Sequence, residues 1–145
     1  MARYSIAGRS TIAGTAVRAL ASLYAAAGSG FKLREVGVFN TTSTALAIAL
    51  VRLTATGTQG AGLTEAEYDQ DAPAPAATGF AGHTADATVG QVLRQAALGA
   101  AVGSGVIFTF GDTGIVVPAG TSGGVGIIVP TGAGQVCDYY FDWDE

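Results

Sequence analysis

Charge is what this chain has least of. Lys, Arg, Asp and Glu make up 12% of its 145 residues, about half the roughly 25% of an average soluble domain. Lys32 is the only lysine, His83 the only histidine and Cys137 the only cysteine. A lone cysteine excludes an intrachain disulfide framework and fits synthesis in a reducing cytosol. It also works against zinc, which takes several Cys or His ligands. Long apolar runs are missing as well. The best candidate, AALGAAVGSGVIFTF, is broken by glycines and a serine and falls short of the about 18 residues that span a bilayer, so no membrane partner is expected. MARYSIAGRSTIAG has no continuous apolar core of the kind a secretory signal needs.

The few charges are unevenly placed. Residues 1–63 hold six basic residues against Glu35 alone, and residues 64–145 hold Arg94 against ten acids. The basic positions are scattered rather than grouped into a groove, which argues against a nucleic-acid partner. The simpler expectation is that the two halves meet within one fold and cancel. The alternative is that the positive half of one copy docks on the negative end of another. Sparse charge also implies surface hidden against other subunits.

What the chain does have is glycine, 22 in all, set mostly between short apolar runs. That is the punctuation of an all-β domain. In CDYYFDWDE, Cys137, Tyr139, Phe141 and Trp143 alternate with Asp138, Tyr140, Asp142 and Asp144. This is the period of a half-buried strand. GIVVP and GIIVP echo one another, and Pro118 and Pro130 should end their strands because proline cannot donate to a ladder. GVIFTF makes a fourth strand in the last third. FKLREVGVFN and TALAIALVRLT flank a polar turn at Asn40, which is also a glycosylation sequon but reads better as turn chemistry. The first slips its alternation between Leu33 and Val36, predicting a bulge. The second is apolar on both faces, predicting a central strand or one lying under a neighbouring subunit. VGQVLRQAAL (89–98) leans to strand. Residues 15–28 stay open between a strand and one short helix. Residues 57–88, rich in Ala, Pro and Gly, read as one long functional or interfacial loop.

The expected fold is an antiparallel two-sheet jelly-roll sandwich. Residues 1–14 form an N-terminal arm and residues 15–145 a single β-sandwich domain. An immunoglobulin sandwich fits less well, since there is no Cys–Trp–Cys pattern.

Candidate chemistry is thin. Asp112-Thr113-Gly114 is the triplet of aspartic proteases, but that reaction needs two carboxylates sharing a proton, and Gly-Asp-Thr-Gly between apolar runs is good hairpin chemistry. Cys137 and His83 could form a nucleophile and base only within hydrogen-bond reach; Cys137 shares a strand face with aromatics and reads as an apolar filler. Asp69 with Asp71, or Asp138, Asp142, Asp144 and Glu145, could offer oxygens to calcium, without any recognised loop spacing. GSGVIF and GTSGGVG lack phosphate-loop spacing. No catalytic, cofactor-binding or metal-binding residue is assigned.

REVGVFNTTSTALAIALVRLT, GSGVIFTFGDTGIVVPAGTSGGVGIIVPTG and CDYYFDWDE together resemble small structural proteins encoded among tailed-phage head genes and uncharacterised relatives in actinobacterial prophages. The resemblance implies a virion protein with a jelly-roll fold, most of all a capsid decoration (cement) protein. Such a protein is made in the host cytoplasm, sits on the outer capsid surface, binds the major capsid protein, and self-associates as a homotrimer ahead of a dimer. It transfers no functional residue position by position. The arm and the long loop supply the expected oligomer or capsid contacts: Arg3, Arg9, Tyr68, Phe80 and His83, with Tyr140 from the last strand. Other readings are a tail, neck or fibre module, or a carbohydrate-binding jelly roll using Tyr68, Phe80 and Tyr140.

Overall fold

The computed structural model describes all 145 residues. Eleven strands and no helix build it: β1 (Arg3–Arg9), β2 (Ala21–Tyr24), β3 (Phe31–Asn40), β4 (Leu46–Leu53), β5 (Ala66–Glu67), β6 (Thr78–Ala81), β7 (Val89–Leu98), β8 (Gly105–Thr109), β9 (Ile115–Val117), β10 (Gly124–Ile128) and β11 (Cys137–Asp144). Sheet A runs β5-β1-β11-β3-β8, with β9 also on β3; sheet B runs β6-β2-β10-β4-β7. All pairings are antiparallel, and they nest: β1 with β11, β2 with β10, β3 with β8 and β9, β4 with β7. One long hairpin has been rolled so that its partners fall alternately in the two sheets, which is the jelly roll.

The interior follows the period-two pattern. Cys137, Tyr139, Phe141 and Trp143 face inward from β11 and are buried with Tyr4, Ile6, Leu33, Val36 and Val38 of sheet A against Leu23, Leu46, Ile48, Leu50, Val125 and Ile127 of sheet B. β4 is central, as its two apolar faces require. Its other face, Ala49, Val51 and Leu53, forms a second buried cluster with Tyr24 and Ile128 under Ala19 and Ala87. The cover comes from the chain's own loops and not from a neighbouring subunit: Ala87 N–H donates to Val17 O at 3.0 Å and His83 N–H to Ala19 O at 2.9 Å. Pro118 and Pro130 follow the ends of β9 and β10.

Three expectations change. Residues 1–14 are not a free arm, because Arg3–Arg9 pairs along its whole length with β11 and sends Tyr4 and Ile6 into the core. Residues 57–88 are not one loop: β5 extends sheet A beyond β1, and β6 extends sheet B beyond β2. Residues 15–28 contain no helix. Val17, Leu20, Ala21 and Tyr24 have helical spacing, but β10 and β6 claim Ala21–Tyr24 on both sides, and pairing overrides local propensity.

The predicted bulge in β3 is present. Asp142 pairs with Glu35 and Trp143 with Leu33, leaving Arg34 as the extra residue. On the opposite side β8 covers Glu35–Phe39 and β9 covers Phe31–Leu33. Strands β8 and β9 are therefore one edge interrupted by a buckle at 110–114, and Gly-Asp-Thr-Gly is not a hairpin turn. The Arg34 guanidinium fills the buckle, donating to Asp144 Oδ2 at 2.5 Å, to Gly111 O at 2.7 Å and to Asp112 O. What Arg34 uses of Asp112 is a main-chain oxygen. Asp112→Ala should therefore shift stability by no more than about 0.5 kcal/mol in urea unfolding. Gly114→Ala should cost more, about 1–3 kcal/mol: its φ is +61°, and a Cβ there would sit 2.9 Å from Leu33 O.

Candidate functional site

Four of the six expected contact residues meet on the outer face of sheet A. The alternation that buries Phe141 and Trp143 turns Asp138, Tyr140 and Asp142 outward, and the register sets Arg9 beside Asp138, Ala7 beside Tyr140 and Arg3 beside Asp144. Arg9 grips Asp138 with two hydrogen bonds, Nε to Oδ1 at 2.7 Å and a terminal nitrogen to Oδ2 at 2.9 Å. Arg3 Nε donates to Asp144 Oδ1 at 2.9 Å, while Arg34 holds the other oxygen. Tyr140 donates to Glu35 Oε1 at 2.6 Å, and Tyr68, just past β5, reaches Asp142 Oδ2 at 2.8 Å. The Tyr140 ring stacks on Phe39 at 6.5 Å between centroids. It also lies across Gly37, where a Cβ would sit 2.1 Å from the ring's Cε1, so glycine there is what lets the tyrosine lie flat. Beside this row Arg3, Arg34, Glu35 and Asp142 line an open polar cavity of about 250 Å³.

The electrostatics follow from these contacts. Burial pushes the Asp144 carboxyl up, but hydrogen bonds from Arg3 and Arg34 outweigh it, and the net shift is downward. The Arg9 hydrogen bond lowers Asp138. Burial, then the Glu35 hydrogen bond, raises Tyr140; the Asp142 hydrogen bond raises Tyr68. All four ion pairs join a residue of 1–63 to one of 64–145: Arg3 and Arg34 to Asp144, Arg9 to Asp138, Arg18 to Asp86. The opposite charges of the two halves thus meet largely within one copy.

Phe80 and His83 lie elsewhere. Phe80 packs edge-on to Tyr24 on the outer side of sheet B, 6.3 Å between centroids. His83 is 1% exposed, so it is not available as a contact residue. It sits over β2 with Nε2 2.9 Å from Ser22 Oγ and Nδ1 without a partner. Sheet B separates it from Cys137 in the core, so the two do not form a dyad. Burial raises the Cys137 thiol to about 11, leaving it protonated near neutrality. Among the acids considered for calcium, Asp138 and Asp144 are held by arginines, Asp142 accepts from Tyr68, and Asp69 caps the Asp71 N–H at 3.1 Å.

Burial lowers the His83 pKa below its ordinary 6.5. Below about 6.5 the unfolded chain therefore binds more protons than the folded one, and stability present at pH 7 is lost as pH falls through the folded value. Wild type should weaken between pH 7 and pH 5 with a slope up to about 1.4 kcal/mol per pH unit. His83→Gln should be less stable at pH 7 and lose that dependence; urea titrations at a series of pH values check both.

Reasoning from sequence missed a second surface. The edge made by β7, β8 and β9 leaves Val92, Val102, Ile107 and Val116 more than half exposed. The alternation in GVIFTF is the signal that could have found it, since burying Val106 and Phe108 turns Ile107 out. The chain matches no family model, no curated protein and no solved structure.

Proposed function

We propose that this chain is a non-enzymatic capsid decoration protein that binds the major capsid protein on the outer surface of a phage head and braces the shell. The observation that carries the reading is the set of exposed apolar side chains on β7–β9 and their turn, Val92, Val102, Ile107 and Val116, on a chain with only 12% charged residues. A surface of that kind is usually completed by another protein. The phrases in its sequence that resemble tailed-phage head proteins supply the rest. Bracing a lattice needs a stiff body and broad faces whose weak contacts repeat with symmetry, and the jelly roll offers both. In this reading the outer face of sheet A, with Arg3, Arg9, Tyr68 and Tyr140, faces the shell, and the sheet edges face neighbouring copies.

Purified protein should co-sediment with undecorated heads of its own phage and saturate at a fixed ratio to the lattice sites. Failure to bind would remove the reading. Carbohydrate binding has one observation in its favour: the polar cavity is lined by Glu35 and Asp142, which hold the hydroxyls of Tyr140 and Tyr68. A glycan array bound through Tyr68 and Tyr140, with no binding to heads, would replace the first reading by this one.

A further inference from the structure

Seven side chains carry a fixed positive charge, and they divide cleanly. Arg3, Arg9, Arg18 and Arg34 hold carboxylates. Lys32, Arg52 and Arg94 hold none, and all three flank the same edge. Lys32 pairs with Val116 across β3 and β9. Arg52 reaches over from β4 to donate to Val116 O at 3.0 Å. Arg94, exposed on β7, lies 5.4 Å over the Phe110 ring. Around it Ile107 and Val116 stand exposed on the outer face of sheet A, in register through β3 with Tyr140 and Asp144, Val92 stands on the outer face of sheet B, and Val102 in the turn between β7 and β8. Strand β7 has β4 on one side and no strand on the other, along ten residues.

The sheet orders put β5 and β6 at the opposite edge. There Glu67, Asp69 and Asp71 are exposed and make no ion pair, and between them Tyr68 is 61% exposed. One edge thus carries unspent cations beside an open strand, and the other carries unspent acids.

We infer that the β7–β9 edge binds the Glu67–Asp71 segment of a second copy of this chain, head to tail. The two patches differ, so the contact is heterologous, and a heterologous contact whose rotation closes makes a ring. A trimer is the smallest such ring. Opposite charges set the partner and register, and the uncovered edge of β7 supplies the surface between them. The inference deepens the decoration reading by naming the contact between copies, yet it is measured on protein without a capsid.

Sedimentation velocity at high micromolar protein tests it. Wild type should form a closed small oligomer that weakens when salt is raised from 0.1 to 1 M, since the screening length then shrinks from about 10 to about 3 Å. Arg94→Glu, at an exposed position, should weaken association at least about tenfold with an unchanged circular dichroism spectrum. Adding Glu67→Arg and Asp71→Arg to the same chain should restore it. A monomeric wild type overturns the inference. So does an oligomer indifferent to Arg94→Glu, or one that the reversed acids fail to rescue. Variants that no longer associate yet still saturate heads would leave decoration standing and remove its dependence on this contact. A proven ring that does not bind heads would do the reverse.

Discussion

Trp143→Ala should destabilise the protein by about 3–5 kcal/mol, the usual cost of emptying a buried indole site. Trp143 is wholly buried between the sheets near the end of β11 and stacks on Tyr4 with ring centroids 5.8 Å apart. It belongs to β11, which lies between β1 and β3 and joins the two termini of the chain in one sheet. The cavity would therefore open where the first and last strands are held together. Against a total stability of about 5–15 kcal/mol, a loss of that size should lower the urea midpoint sharply. Trp143→Phe keeps an aromatic against Tyr4 and removes an indole N–H that has no acceptor. It should cost under about 2 kcal/mol. Equal losses in the two variants would mean that the packing is not what Trp143 contributes.

The second large effect is at Asp144. Its side chain is 10% exposed and takes hydrogen bonds from both Arg3 and Arg34; the Arg34 side chain is itself only 17% exposed. Asp144→Ala would leave that guanidinium sunk in the face without its counter-charge, at a cost of about 2–4 kcal/mol at pH 7, the lower end reflecting the half-exposed Arg3. The pH dependence has a definite sign. The native carboxyl is held below its ordinary value of 3.8, so the folded state releases its proton more readily than the unfolded chain. The stabilisation is fully present above the unfolded value and is lost as pH falls through the native one. Urea titrations should show the gap between wild type and Asp144→Ala wide at pH 7 and narrowed below pH 3. A gap that stays constant across that range would place the role of Asp144 in shape and not in charge.

Much of this fold can be read along the chain because its strands obey local rules. Cys137–Asp144 alternates without a fault, prolines close β9 and β10, and the slip near Arg34 is the bulge that seats its guanidinium. The two apolar faces of Leu46–Leu53 correctly demand cover on both sides. What local rules do not carry is partnership. Nothing near Arg3 says that its neighbour is Asp144 at the other end of the chain, so a seven-residue strand reads as an arm. Two-residue β5 and four-residue β6 are too short for a period, and Ala21–Tyr24 is buried on both faces, which erases the alternation that marks a strand. The same blindness applies to the face of sheet A. Arg3, Arg9, Tyr68 and Tyr140 could be chosen as surface residues, but Arg34, Glu35 and Asp142, which tie them together, are visible only once the register is known. His83 has the composition of a loop residue around it and becomes buried because that loop folds back over β2.

The account rests on the claim that this jelly roll works by covering a shell in company with its own copies. Cryo-electron microscopy of undecorated heads incubated with the purified protein tests it most directly. The account predicts ordered density on the outer surface at symmetry-related lattice sites, with the outer face of sheet A turned toward the shell and the β7–β9 edge of each copy against the β5–β6 edge of the next. Bare shells, or density confined to a tail or neck, would contradict it.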